Sequence, residues 1–320
     1  MNHAKPPDPA PGGPFGYPEV TDSPPLPEPT FRPGNLRRAI LAGGLAAITT
    51  RDLAAQTSTP LRFGTTPVFL DEQIGLLGRW QLLLQQQLRR PVRFVQRGTY
   101  REIVDLLLEE SLDAAWLCGF PAVVYESKLV VIAVPLYRGA PLYRSYLIVP
   151  ESDDSTSHVA DLRGRVFAYS DPRSNSGYLV PQVELLRRGL RPDAFFRRTF
   201  FTFGHRKVVE AVQVGLAHGG AVDSYVWDTL RAQQPRSTEG VRVAWRSSPF
   251  GFPPVVARRT MPPGPRAELV RALSGMTGIP EGRRTLDSLN LDAFVEPPRD
   301  LLDGIRELVR EQATIGPPRS

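Results

Sequence analysis

The stretch RVFAYSDPRSNSGYLVP, residues 165–181, decides how this chain is read. Its first half is a strand: Val166, Phe167, Ala168 and Tyr169 form a short apolar run closed at Ser170 by turn residues. Its second half opens a helix. Pro181 has no N–H and clashes with the carbonyl four residues back, so a helix tolerates it only in its first turn. That sets the expected start at about Ser176–Tyr178. First-turn N–H groups lack intrahelical partners and carry the positive end of the helix dipole. Gly177 would let a ligand approach the backbone, and Ser174, Asn175 and Ser176 add side-chain donors at the same point. Such a start suits an anion. Taken alone, such a start is more often just an ordinary serine cap.

Outward from this stretch the chain alternates strand and helix. PLRFGTT (60–66) and VRFVQ (92–96) read as strands on either side of a helical pattern, QIGLLGRWQLLLQQQL (73–88). TYREIVDLLLEE opens with Thr99 and carries Glu102 three residues later, a capping box. DAAWL (113–117) and LVVIAVP (129–135) are further strands, and YRSYLIVP (143–150) reads as one long strand. Downstream come RRTFFTF (197–203), a helix HRKVVEAVQVGLA (205–217), a short GGAV strand and a helix from Tyr225. VRVAWRSS (241–248) leads through PFGFPP to VVARR, and helices are expected near 263–276, 280–289 and 298–312. Repetition of this kind implies an α/β fold, with a parallel or mixed sheet covered by helices.

The chain has 320 residues and a hydrophobic fraction of 41%, enough for one large domain or two of ordinary size. The formal net charge is +6, and its lysines are Lys5, Lys128 and Lys207, so the basic residues are nearly all arginine. The arginines are interspersed with acids, which argues against a nucleic-acid partner, whose site would cluster them on one element. Cys118 is the one cysteine, so an internal disulfide is impossible and a structural zinc site is disfavoured. No metal or cofactor pattern is present, and none is expected.

Residues 1–56 read as separate from the fold. Residues 5–33 are Pro-rich with little hydrophobic periodicity. Arg37 and Arg38 then precede a short apolar stretch, Ala39–Thr50, with small residues at Ala54 and Ala55. This is the anatomy of an export signal, and the adjacent arginines followed by Ile40 and Leu41 fit the twin-arginine type. The stretch is too short to span a bilayer as a permanent anchor. The Pro-rich extension is long for an n-region, which raises a later start codon, such as one at Val20 or Leu36.

Several motifs, in order, resemble the phosphonate/phosphite-binding (PhnD-like) periplasmic proteins of ABC importers. SDPRSNSGYLVP resembles the family's S-x-S-G helix start. GTYREIVDLLLEESLDAAWLCGFPAVVYES is similar to its first-lobe helix, strand and cleft loop, and GHRKVVEAVQVGLAHGGAVDSYVWDTL to its second-lobe helix with a leading histidine. SSPFGFPPVVARR is similar to the return to the first lobe, so the resemblance runs from about residue 61 to 312. It implies a two-lobe, type II periplasmic binding protein fold, each lobe a mixed sheet flanked by helices, with two crossing strands as hinge. Residues 61–142 plus 249–320 would form one lobe and residues 143–248 the other. By position, Ser174, Asn175, Ser176 and Gly177 would hold an oxyanion with His205, while Tyr100, the loop Trp116–Phe120 including Cys118, Asp223 and Ser224 would line the cleft. The partners implied are a small oxyanion and a membrane permease, with the protein a monomer in the periplasm.

Each residue has a plainer reading. His205 could be a surface cap, Asp223 an N-cap, and Tyr100 or Trp116 core aromatics. The sequence also departs from the family pattern: Asn175 stands where relatives often carry Thr, Cys118 is unusual in the cleft loop, and PFGFPP supplies no acid for a substrate amine. The competing class is a thiol enzyme pairing Cys118 with His205 or His218. A third reading keeps the fold but makes the protein a ligand-sensing partner of a membrane receptor or redox system. If His205 donates to the anion as an ordinary imidazole, affinity should rise as pH falls through about 6–7.

Overall fold

The computed structural model describes residues 59–66 and 74–315; the expected leader, with Arg37 and Arg38, lies outside them. The alternation read from sequence resolves into two sheets. In the first, β1 (Leu61–Thr65) lies between β2 (Val92–Gln96) and β3 (Ala114–Trp116) and is parallel to both. β12 (Val255–Arg258) then pairs antiparallel with β3 and with β4 (Leu129–Leu136), and β13 (Ala293–Val295) closes the far edge. Helices α1 (Ile74–Leu88), α2 (Tyr100–Leu108), α3 (Gly119–Val124), α8 (Pro263–Ser274), α9 (Pro280–Ser288) and α10 (Asp303–Ile315) accompany it. Trp80 on α1 anchors this core, fully buried with the rings of Phe63, Phe94, Trp116 and Phe294 centred 5.1–6.1 Å away. Packing of this kind supplies most of the stability of a half-apolar helix.

The second sheet has the order β10-β6-β9-β7-β8, with β6 Ser145–Pro150, β7 Val166–Tyr169, β8 Arg198–Phe201, β9 Gly219–Asp223 and β10 Val241–Arg246. β7 is parallel to both β8 and β9, while β6 runs antiparallel between β9 and β10. Its helices are α4 (Val180–Leu186), α5 (Pro192–Phe195), α6 (His205–Gln213) and α7 (Ser224–Gln233). α6 is shorter than the periodicity predicts because Gly215, at φ +74°, turns the chain out of the helix. α10 begins at Asp303 rather than at 298, beyond the Pro297–Pro298 pair.

The expected long strand at 143–150 is two strands. β5 (Leu142–Tyr143) pairs with β11 (Phe250–Gly251), and β6 begins at Ser145. Arg144 belongs to neither ladder, and Ser224 satisfies its peptide instead: Arg144 N–H donates to Ser224 Oγ at 2.9 Å, and Ser224 N–H donates to the Arg144 carbonyl at 2.9 Å. A buried backbone polar group must find such a partner when a strand changes sheet. The two segments that join the sheets are tied side by side, since Ser145 N–H donates to Ser247 Oγ and Ser247 N–H to the Ser145 carbonyl, at 2.9 and 3.0 Å. The carboxyl ends of β1, β3, β7 and β9 carry Thr65, Trp116, Tyr169 and Asp223, and the residues that follow them meet where the two sheets face each other. In open α/β sheets, that is where ligands bind.

Candidate functional site

The helix start at 174–180 is a wide turn rather than the plain α-turn expected. Leu179 N–H donates to Ser174 O at 3.0 Å and Val180 N–H to Asn175 O, each five residues back. Pro181 is one reason, because it cannot donate to Gly177 O, the acceptor an α-turn would assign it. Both carbonyls left over by the widening are satisfied from outside the helix. Ser176 O accepts from Ser145 Oγ at 2.7 Å, and Gly177 O accepts from Ser170 N–H at 3.3 Å. Insertions of this π type are frequent at functional sites. Ser174 caps the turn, its Oγ accepting from Gly177 N–H at 3.0 Å. Gly177 is needed for space: a Cβ there would collide with the Ser170 side chain and come 3.1 Å from the His205 ring. The close neighbours that demand glycine are thus Ser170 and His205.

Side chains from the first sheet close over this turn. Asn175 N–H donates to Cys118 Sγ at 3.3 Å, and Asn175 Nδ2 donates to the Tyr143 hydroxyl at 3.0 Å, which also bonds the Ser176 side chain. Asp171 Oδ2 accepts from Tyr100 N–H, the first residue of α2, at 3.1 Å, and its Oδ1 accepts from Arg173 N–H at 2.7 Å. His205 Nδ1 accepts from Asp223 N–H at 3.2 Å, which leaves the ring proton on Nε2, 3.4 Å from the Tyr100 hydroxyl. Asp223 in turn caps α7, its Oδ1 accepting from Tyr225 N–H at 2.8 Å. Tyr100, Cys118, Asn175, Ser176, His205 and Asp223 are all buried, none more than 5% exposed.

Burial sets the electrostatics. The His205 pKa is lowered to about 3 by desolvation, so the ring is neutral throughout the physiological range. The expected rise in affinity through pH 6–7 therefore has no source in His205. Desolvation pushes the Cys118 thiol up to about 12, which disfavours the thiolate that the thiol-enzyme alternative needs. His218, the other proposed thiol partner, accepts from Val166 N–H at the opposite end of β7. Asp223 is pushed up to about 7 by burial, and Asp171 is raised for the same reason. Among the described residues, eight buried side-chain atoms have no hydrogen-bond partner, and two of them, Ser170 Oγ and Asn175 Oδ1, lie in this cluster. An unsatisfied buried group calls for an explanation, and at this place a ligand is one.

The predicted residues divide. Tyr100, Cys118, Asn175, Ser176, Gly177, His205 and Asp223 are brought together, with Ser174 as the cap beneath them. Ser224 instead serves the Arg144 peptide at the sheet-to-sheet crossing. Trp116 is a core aromatic whose Nε1–H donates to Pro253 O at 2.8 Å. Phe120 lines an outer groove of about 520 Å³ with Tyr125, Arg173 and Tyr178. The cluster also holds Tyr143, Ser145, Ser170 and Asp171, which the sequence did not single out. Ser170 and Asp171 lay inside the quoted stretch, where Asp before Pro signals a turn with its own hydrogen bonds; Tyr143 and Ser145 carry no local signal. Among the described residues, no group of three His, Cys, Asp or Glu could hold a metal, and no helix is long and apolar enough to cross a membrane.

Comparison with known proteins fits this geometry. A family model described as ABC transporter, phosphonate, periplasmic substrate-binding protein matches residues 63–301. The phosphate-import protein PhnD of Mycolicibacterium smegmatis is 25% identical over 177 residues, covering 52% of this chain and 55% of that protein. The match thus spans little more than half of that relative's length. The phosphonates-binding periplasmic protein of Escherichia coli is 24% identical over 254 residues, 75% of this chain and 73% of that one. The crystal structure of a binding protein component of an ABC phosphonate transporter from Pseudomonas aeruginosa superposes with a TM-score of 0.72 at 21% identity, over 82% of this chain and 90% of that one. At that identity the likeness shows the fold, which is the type II periplasmic binding protein architecture of mixed sheets flanked by helices. With the family model spanning most of its length, the chain belongs to the periplasmic substrate-binding proteins of ABC phosphonate transporters.

Proposed function

We propose that the protein is the extracytoplasmic substrate-binding component of an ABC importer, and that it holds a small phosphonate-, phosphite- or phosphate-like oxyanion between two hinged lobes. The lobes would be residues 61–142 plus 249–320 and residues 143–248. The observation that carries this reading is the buried cluster between the sheets: a helix start, serine hydroxyls and a neutral His205 Nε2–H on one side, Tyr100 and Cys118 on the other. Tyr100 and Cys118 hold the acceptor positions against His205 and Asn175 N–H, the positions an oxyanion's oxygens would take. Parting of the lobes would expose those donors and closure would desolvate the bound anion, strengthening each bond. Asn175, Ser176, Gly177, Ser170 and His205 would contact the oxyanion, with Tyr100 and Asp223 completing the site.

The family places such proteins in the periplasm. Export through the leader with Arg37 and Arg38, action as a monomer and docking on a membrane permease are parts of this proposal. A calorimetric panel of phosphate, phosphite, methylphosphonate and sulfate against the mature protein tests it. A hydrogen bond to a charged group contributes about 1.5–3 kcal/mol. Ser176→Ala should therefore weaken the preferred anion about tenfold to a hundredfold while leaving the melting temperature nearly unchanged. Binding of a neutral or cationic solute that is indifferent to Ser176→Ala would overturn it.

A further inference from the structure

Helix α10 is rooted beside the first sheet. Ile305 and Leu302 pack on Gly119 of α3 so closely that a Cβ there would lie 2.4 Å from Ile305 Cδ1, and Arg306 Nε donates to Glu126 Oε2 at 3.0 Å. The far end of α10 reaches the helices of the second sheet. Arg187, at the end of α4, sends Nε and Nη2 to the two carboxylate oxygens of Glu311, each at 2.7 Å. Two parallel bonds of this kind are the strong geometry for an arginine and a carboxylate. Arg187 is held in place for it: its Nη1 donates to Glu184 Oε1 at 2.9 Å, and Glu184 Oε2 in turn meets Arg188 and His158.

The two flanks on which the sheets' layers meet differ in kind. Beside α7 the contact is packed: the buried Tyr225 ring lies 5.0 Å from that of Phe252 and 5.2 Å from that of Tyr137, and its hydroxyl donates to Leu289 O. Asn290 Nδ2 adds a bond to Thr229 Oγ1 at 2.7 Å. Parting this flank would strand buried polar groups and open an aromatic cluster, so it suits a pivot. Beside α4 the layers are separated by the outer groove of about 520 Å³. Phe120 and Tyr125 form one wall, Pro172 and Arg173 the other, and Gln312, next to Glu311, stands at its edge. Such a groove can widen with little loss of apolar burial. We propose that the Arg187–Glu311 pair is a latch across this groove, and that these two residues, which lie outside the buried cluster, set ligand affinity by favouring the closed arrangement of the lobes. The inference rests on the hinged two-lobe reading above. A contact made only with the lobes together shifts the open–closed equilibrium by its own free energy, and the shift enters affinity to the extent that the ligand-free protein is open. With side chains 42% and 24% exposed, the pair should shift it modestly, about twofold to fivefold.

Cys118 supplies the reporter for the test. It is the chain's one cysteine and is 5% exposed with the lobes together, so its alkylation by N-ethylmaleimide in the ligand-free protein reads the open fraction. Methylphosphonate and inorganic phosphate are the probes of affinity. For Arg187→Gln and for Glu311→Gln, the factor by which alkylation accelerates, multiplied by the factor by which the tighter probe weakens, should come to about twofold to fivefold. The product is the measure because a mostly closed protein shows the latch in alkylation and a mostly open one shows it in affinity. The double variant should give the same product as either single one, since the bond is broken once. All three products should fall toward unity at an ionic strength of about 1 M. Arg284→Gln, which breaks an exposed pair with Glu281 inside α9, should leave the product at unity. Products of unity for Arg187→Gln and Glu311→Gln, a double variant that multiplies them, tighter binding by either, or an equal effect of Arg284→Gln overturns the latch and leaves the hinged oxyanion reading standing. A probe that binds wild type without slowing Cys118 alkylation overturns the hinged reading, and the latch with it. If neither probe binds, the oxyanion reading falls, and the latch stands or falls on the alkylation factor alone.

Discussion

Two helix starts in this molecule solve the same problem in opposite ways. At the start of α2, Thr99 Oγ1 accepts from Glu102 N–H at 3.2 Å, and the Glu102 carboxylate accepts from Thr99 N–H at 3.0 Å. The box is closed within four residues, and its function is to hold a helix; of this start, Tyr100 N–H alone reaches across, to Asp171. At 174–180 the local cap is only Ser174. The next donor, Asn175 N–H, goes to Cys118, 57 residues away in sequence, and the spare carbonyls go to Ser145 and Ser170. A start whose cap closes locally belongs mainly to stability. One that depends on the facing sheet responds to whatever enters between the sheets.

That contrast predicts unequal costs. Gly177→Ala should be the most damaging change, since the new methyl group meets Ser170 and His205 in a fully buried position. Overpacking of this kind costs about 1–3 kcal/mol, and denaturant titration should show it alongside loss of anion binding. A variant of unchanged stability and affinity would mean that the wide turn has slack the contrast denies it.

His205 comes next. Its folded pKa, near 3, lies below the unfolded value of about 6.5, so its contribution to stability is present above about pH 6.5 and is lost as pH falls toward 3. The loss should approach a factor of about ten in the folding equilibrium per pH unit within that window. Asp223, raised by burial, slopes the other way, so wild type must be compared with His205→Gln in denaturant titrations at several pH values. The variant should lack the acid slope that wild type has. Equal slopes would place His205 in a far wetter setting than its 1% exposure indicates.

The smallest effect is at the locally capped start. Thr99→Ala should cost about 1 kcal/mol of stability and leave anion affinity within a factor of about two. A large change in affinity would show that α2, through Tyr100, is coupled to the site more tightly than its closed cap suggests.

The same contrast explains what could be read in advance. Strand runs such as VRFVQ and the Thr99–Glu102 box are local patterns, and the structure reproduces them at Val92–Gln96 and at the start of α2. The serine-rich start was found because Pro181 and Gly177 mark it locally. Its width was not, because the widening depends on acceptors and donors at Ser145 and Ser170. The long strand at 143–150 failed for a related reason: apolar alternation continues through Arg144, while the change of sheet is set by Ser224 and Ser247. Ser224 and Trp116 were expected at the cleft by position, and tertiary contacts put one on the crossing and the other in the core. Asp171 went unnoticed because Asp-Pro reads as a turn, and only the fold brings Tyr100 N–H onto its carboxylate.

On the function proposed above, the N–H groups of the 174–180 turn bind a tetrahedral oxyanion between the sheets. Backbone amide chemical shifts followed through a methylphosphonate titration would show this. The Asn175 and Ser176 amides should move downfield with one saturating isotherm, with Tyr100 and the His205 ring shifting in step, while the Thr99 and Glu102 amides stay nearly still. Saturable binding that leaves Asn175 and Ser176 unmoved, with the shifts gathered elsewhere on the molecule, would contradict it.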